Sequence, residues 1–356
     1  MKKNILFLLM FSICCNELPI GQEEFDLRGD FNAQFVELSL YNSFTESNKY
    51  AMLGNSFNLI VGRNSDYESR ILLKFDFPDS SYQGLDEIKL ILKTNGDFNN
   101  DDLTFSLRLL DADFEEDKAN WYFRTEEEGW QTPGGDFQAD SLRLGETSED
   151  SLVIMFNYIE LEEIRSADGL IIIPENSGFT HFYSGEGGFP PQFILVKNDN
   201  VTSIPLEADC HIVTGHVPFF TENWIGSGLP HRNYVKFIFD SLLIDKKAVY
   251  AELTFEAEHY FVMRDTIEIG IKELLEPIDD FDTPAGPLIA LEKFAVSDTV
   301  FSIDIVGHIQ RIIEYPDSNH GFFMIFSPEN YDVGNMKIVD HSHRLRVGYV
   351  SPPHGR

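Results

Sequence analysis

Residues Ser69–Phe77 read SRILLKFDF, and residues His231–Phe239 read HRNYVKFIF. Arg70, Lys74, Phe75 and Phe77 recur at one offset as Arg232, Lys236, Phe237 and Phe239. Apolar residues fall at every second position in both stretches. Ile71, Leu73, Phe75 and Phe77 oppose Arg70, Leu72, Lys74 and Asp76, while Val235, Phe237 and Phe239 oppose Tyr234, Lys236 and Asp240. A period of two is the signature of a strand with one face in a core. Its recurrence 162 positions on (232 − 70) makes duplication the first question to settle.

The repeat extends outward from this frame. IVGR (Ile60 to Arg63) is answered by WIGS (Trp224 to Ser227), and IKLIL (Ile88 to Leu92) by AELTF (Ala251 to Phe255). TPGG (Thr132 to Gly135) is answered by TPAG (Thr283 to Gly286), and DGLIIIPEN (Asp168 to Asn176) by HGFFMIFSPEN (His320 to Asn330). The blocks keep their order and the insertions fall between them, as they do when blocks are strands and gaps are loops. Each copy also holds one helix-like stretch ending near Gly, Asn157 to Gly169 and Gly307 to Gly321. The expected fold is all-β: two tandem antiparallel β-sandwich modules, jelly-roll-like, each with one short helix. The expected layout is a signal peptide over residues 1–15, an acidic tether over 16–30, a first module over 31–198, a linker over 199–206, a second module over 207–351 and a tail over 352–356.

Composition narrows the partners. The chain has 356 residues, enough for two domains of ~150 residues. Its formal net charge of −32 repels phosphate-rich partners, which excludes nucleic acid and anionic lipid surfaces and otherwise favours solubility. MKKNILFLLMFSICCNE at the start has a basic tip, an apolar run and then Cys14 and Cys15, the pattern of a secretory signal. A cysteine directly after the apolar run is similar to the lipobox of bacterial lipoproteins. Cys15 fits that role better than Cys14, because a small residue precedes it. The expected place is the bacterial cell envelope, as an outer-membrane or cell-surface lipoprotein that touches the membrane only through its lipid, with secretion as the alternative. Cys210 is then the one cysteine of the folded body, so no intrachain disulfide framework exists there. The triplet DCH at Asp209 to His211, with His216 nearby, reads as a buried structural cysteine before a metal site.

The LIVGR turn (Leu59 to Arg63), SRILLKFDFPD (Ser69 to Asp79), DADFEEDKANWYF (Asp111 to Phe123) and GWQTPGGDF (Gly129 to Phe137) together resemble the DNRLRE-domain family of bacterial extracellular β-sandwich modules. The first copy matches over roughly its whole length. The second lacks an equivalent of the Trp121 segment, and neither carries the hexapeptide of the family name. The resemblance implies non-catalytic work at a surface, as a carbohydrate-binding-like module.

Sugar sites need an aromatic plane and polar groups for hydroxyls. The richest stretch is Trp121, Tyr122, Arg124 and Trp130, with core packing as the other role for these rings. GFTHFYSGEGGF (Gly178 to Phe189) offers His181 and Tyr183, or is simply a hairpin turn. Arg70 and Lys74, beside Lys89 and Lys93 on an expected neighbouring strand, would make a basic strip for an acidic glycan; ion pairing with nearby acids is the competing role. For calcium, NGDFNNDD (Asn95 to Asp102) and DADFEED (Asp111 to Asp117) cluster oxygens, but Asn100 stands where the EF-hand needs Gly and Ser106 where it needs Glu, which favours solvated turns. No metal or cofactor is expected. G-x-S-x-G, H-E-x-x-H, P-loop and Rossmann patterns are absent from the sequence, so a non-enzyme is expected, binding polysaccharide or, alternatively, other surface proteins.

Overall fold

The computed structural model describes residues 33–78, 82–147, 150–219 and 221–351. The signal segment with Cys15, the tether and the tail lie outside the described residues. Strands β1 to β8 are Gln34–Leu38, Leu40–Ser47, Asn58–Arg63, Tyr67–Phe75, Glu87–Lys93, Thr104–Leu109, Arg143–Glu146 and Ser151–Met155. Helix α1 (Tyr158–Ser166) follows, then β9 to β15: Leu170–Pro174, Gly178–Tyr183, Gln192–Lys197, Asn200–Ile204, Leu206–Gly215, Trp224–Ser227 and His231–Phe237. Next come β16 to β19 (Lys247–Phe261, Thr266–Leu274, Ala285–Ala295, Val300–Asp304), helix α2 (Val306–Glu314), and β20 to β22 (Phe322–Phe326, Gly334–Ile338, Arg344–Val350).

The protein is all-β, with antiparallel sheets packed face to face and, among the described residues, one short α-helix in each half. One sheet runs β10, β3, β4, β9, β6, β7 with β13 added on β4, and a second runs β12, β11, β5, β8. Their facing side chains, among them Leu59, Ile71, Leu73, Phe105 and Ile172 against Ile88, Leu90, Ile154, Phe193 and Leu195, make one core. The remaining strands repeat this order. β21, β14, β15, β20, β17, β18 with β2 on β15 follow the first pattern, and β1, β22, β16, β19 follow the second. Long β16 bends from one layer into the other, joining them into a single sheet. Phe255, Phe301, Leu253 and Val347 meet Val235, Ile269, Met324 and Met336 in the second core. Each such side chain contributes about 1.5–3 kcal/mol when fully buried.

The repeat is matched by pairing register. Ile71, Leu72 and Leu73 lie opposite Ile172, Ile171 and Leu170, while Asn233, Tyr234 and Val235 lie opposite Met324, Phe323 and Phe322. The helices also correspond. In α1 a capping box links Asn157 and Glu160, and Leu161 and Ile164 are buried; in α2 the apolar stripe Ile309, Ile312 and Ile313 seals the end of the second core.

The distribution of strands departs from the expected layout. β1 and β2, within the segment assigned to the first module, pair with β22 and β15. The stretch expected as a linker holds β12, hairpinned onto β11, and β13 joins the first sheet beside β4. Among the described residues, the first two strands therefore complete the sheets built by the last nine. A third apolar cluster, including Leu53, Ile60, Tyr67, Phe98 and Phe179 with Met263 and Val333, joins the two halves, and Tyr67 Oη accepts a 2.9 Å hydrogen bond from Asn335 there.

Candidate functional site

Leu72, Ile171, Cys210 and Ile212 give the outer face of β4, β9 and β13 an apolar surface that water would penalise. The loop of residues 110–137 covers it. Trp121 is 8% exposed and Trp130 6%, both in a cluster with Phe114 and Ala119. The indole N–H of Trp130 donates to Asn120 O at 2.9 Å, so its one polar atom is satisfied in the core. The Arg70 guanidinium lies 4.6 Å over the Trp121 ring, donates to Gly134 O at 2.8 Å and pairs with Glu68 at 2.6 Å. Gly134 has φ +95°, and a Cβ there would sit 2.7 Å from both Arg70 and Trp121, which is why the TPGG turn needs glycine. Arg232 repeats the device. It lies 3.9 Å over Phe281, donates to Phe281 O at 2.9 Å and forms two 2.8 Å bonds to Glu329.

Trp121, Trp130 and Arg70 are therefore packed parts of the fold, and the expected basic strip does not form. β4 neighbours β3, β9 and β13, whereas β5 lies in the opposite sheet between β11 and β8. The outer faces of two packed sheets point apart, so Arg70 and Lys74 cannot share a surface with Lys89 and Lys93. Lys74 is held at 2.9 Å by both Asp113 and Glu207, Lys89 pairs with Glu87 at 2.9 Å, and Lys93 is exposed at the end of its strand. In the second half Lys236 lies 5.6 Å from the Tyr41 ring centre, and Glu252 accepts from the Tyr250 hydroxyl at 2.6 Å.

His181 is fully buried, stacked 3.8 Å from Phe98, and neither ring nitrogen has a partner. Burial, reinforced by His211 and Arg264, holds it neutral, its pKa well below the usual imidazole range. Tyr183 is half-buried against exposed Phe189 at 5.3 Å. In NGDFNNDD the oxygens serve the backbone of β10: Asn100 Oδ1 accepts from His181 N, and Asp101 Oδ2 from Phe179 N.

What faces water on this side is different. A cleft of about 700 Å³ is lined by Asp111, Asp113, Arg124, Glu128, Asp136 and Asp168. Arg124 is anchored by Glu128 and by Asp113 O at 3.1 Å, and Asp136 accepts from the N–H groups of Gln131 and Thr132, both at 2.8 Å. The chain next to Arg124 carries an aromatic ledge. Phe123, 38% exposed, and half-buried Tyr122 meet Tyr50, 42% exposed, edge-on at 5.7 and 5.5 Å, with Lys49 over the Tyr50 ring. Of the predicted residues, only Tyr122 and Arg124 belong to this surface. Tyr50 was missed because it lies some seventy positions upstream, in a segment without repeat or motif. Phe123 sat inside the quoted stretch but was indistinguishable there from a core ring.

A second acidic group also joins distant stretches. Glu116 of DADFEED, Glu186 of the Gly-rich loop and Asp209 of DCH bring carboxylate oxygens within 4.8 Å of one another. Cys210 next to it is buried, and burial pushes its thiol pKa up, so the structural role expected for it stands on its environment.

Fold and surface together define an all-β protein of face-packed antiparallel sheets whose loop of residues 110–137 carries both an open polar cleft and exposed rings. No protein-family model matches the chain, and no curated protein matches it as a relative.

Proposed function

We propose that this is a non-catalytic binding protein that recognises carbohydrate through the cleft at Arg124 and the ledge of Tyr50, Tyr122 and Phe123. The observation that carries the proposal is that Tyr122 and Phe123 of the ledge directly precede Arg124 of the cleft in one loop, so that solvent-facing rings and a cleft of carboxylates and a guanidinium are built by the same segment. Rings of this kind offer a plane to the CH face of a pyranose, and the cleft offers hydroxyl partners. Five carboxylates against one guanidinium disfavour an acidic glycan, so the ligand is a neutral polysaccharide. The protein works outside the cell, as the resemblance to DNRLRE-type modules implies, and is held at the envelope by a lipid on Cys15 or secreted, as its signal-like start and lipobox-like cysteine imply. Retardation of the protein on gels containing neutral polysaccharides, loss of that retardation in Phe123→Ala and Arg124→Ala, and its retention in Lys89→Ala support this assignment. Normal mobility of the unaltered protein on every neutral polymer overturns it.

A second proposal rests on a separate observation. Leu144, Val153, Met155 and Ile159 are exposed where β7, β8 and α1 meet around Arg143, which bonds Met155 O at 3.2 Å and pairs with Glu160. Such a patch suits contact with another surface protein. Self-association or partner capture lost in Met155→Glu, with no glycan retention, would favour assembly as the function.

A further inference from the structure

We infer that Glu116, Glu186 and Asp209 form a binding site for calcium, assembled from three stretches that are remote in sequence. The inference does not depend on the glycan assignment. Each residue supplies an oxygen to one point: Glu116 from the loop after β6, Glu186 from the turn after β10, and Asp209 from β13. Asp209 is 0% exposed. Its Oδ2 accepts from Gly185 N at 2.8 Å, but its Oδ1 is buried without any donor, and one oxygen of this carboxylate lies within 4.8 Å of the other two residues' oxygens. Glu116 accepts from Asp209 N at 3.1 Å, which fixes two of the carboxylates side by side.

Three carboxylates this close repel one another, and a buried carboxylate oxygen without a partner is costly. Among the described residues no Lys or Arg neutralises them: nearby Lys118 pairs with Asp117, and Lys74 with Asp113 and Glu207. A bound cation would offset both costs.

The donor set chooses the metal. All three ligands are hard carboxylates without His or Cys, which excludes a zinc-type site. Calcium takes six to eight oxygens in flexible geometry and accepts water at its open side, which here is the side of exposed Glu186. Magnesium demands a near-ideal octahedron that a three-carboxylate corner on two loops does not preorganise. Bound calcium would tie the turn at residues 184–188 to the loop of residues 110–137 and to β13.

The test uses the purified chain stripped with chelator. Calorimetric titration with calcium chloride should show saturable binding with a Kd of roughly 0.1–1 mM, the range of extracellular calcium modules, and the melting temperature should rise with calcium. Glu186→Gln, at an exposed position that the fold does not need, should weaken binding at least tenfold. Asp209→Asn should abolish the calcium-dependent rise while melting at or above the unaltered protein without calcium, because it removes a buried charge. Absence of heat and of any melting shift at about 10 mM calcium, ten times the weak end of that range, overturns the site. So does an equal calcium response in both variants, which would place the ion elsewhere. A magnesium response as strong as the calcium response overturns the choice of metal.

Discussion

Leu40 lies opposite Phe237, and the ladder slips by one residue immediately beyond the pair. Leu206 meets Phe75 in the same way, with the same slip. The two bulges mark β2 and β13 as equivalent strands, although β13 follows the sheets it completes and β2 precedes the whole repeat. β12 folds back on β11 as a hairpin, whereas the corresponding edge of β22 is taken by β1.

Removing residues 33–48 should therefore destabilise the distant half. Loss of β1 and β2 strips a neighbour from β22 and from β15 and uncovers Leu345, Val347 and Val235. Hydrogen exchange should show protection falling across β15 and β22 while β4, β5 and β9 keep theirs. Leu38→Ala alone should cost about 2–5 kcal/mol in denaturant unfolding. Uniform loss of protection along the whole chain would refute the closure.

Arg232→Lys should not be conservative. The guanidinium makes two bonds to Glu329, one to Phe281 O, and a stacking contact, of which an ammonium can keep one. The pair retains some exposure, so the loss should be about 2–3 kcal/mol, below the ~3–5 of a fully buried pair. Urea midpoints for Arg232→Lys and Glu329→Gln would check it, and a change of under half a kcal/mol in both would contradict the packing role.

Core and ledge rings should separate by phenotype. Trp130→Ala opens a cavity and orphans Asn120 O, for about 3–5 kcal/mol of stability. Phe123→Ala and Tyr50→Ala remove half-exposed rings, so their melting temperatures should stay within a few degrees, and glycan retention should be what they lose. Comparable destabilisation by all three would place the ledge in the core.

Stability should peak near neutrality in the absence of cation. Burial holds His211 and His231 down at about 3 and His343 at about 4, so the folded state stays neutral while the unfolded chain protonates below about 6.5. Stability is thus lost as pH falls from 6.5 toward those values, by up to about 1.4 kcal/mol per unit for each group. Asp209 acts with the opposite sign. Its folded pKa of about 8 exceeds the ordinary 3.8, so the folded state holds the extra proton and stability falls as pH rises through that interval. Urea unfolding from pH 5 to 8 should show the maximum near 6.5, and Asp209→Asn should remove the decline above it.

Much of this protein is legible in the local pattern of its chain. Alternation of Ile71, Leu73 and Phe75 with Arg70 and Lys74 marks a half-buried strand, because successive side chains of an extended backbone must point to opposite faces. The recurrence of that frame reveals duplication, and the Asn157 and Glu160 cap marks a helix start, since both involve only neighbours along the chain. The neighbours of a strand across a sheet are another matter. Alternation assigns Lys89 an outward face but does not say which sheet β5 enters, so the basic strip could not be tested from residues alone. Trp121 and Trp130 look like a sugar platform until the apolar outer face of β4, β9 and β13 is known to need a cover. Closure of the second set of sheets by β1 and β2, and the meeting of Glu116, Glu186 and Asp209, were decided only by tertiary structure. Both bring together residues far apart in sequence, and such contacts form because burial and backbone pairing reward them in three dimensions, with no trace in the spacing of side chains along the chain.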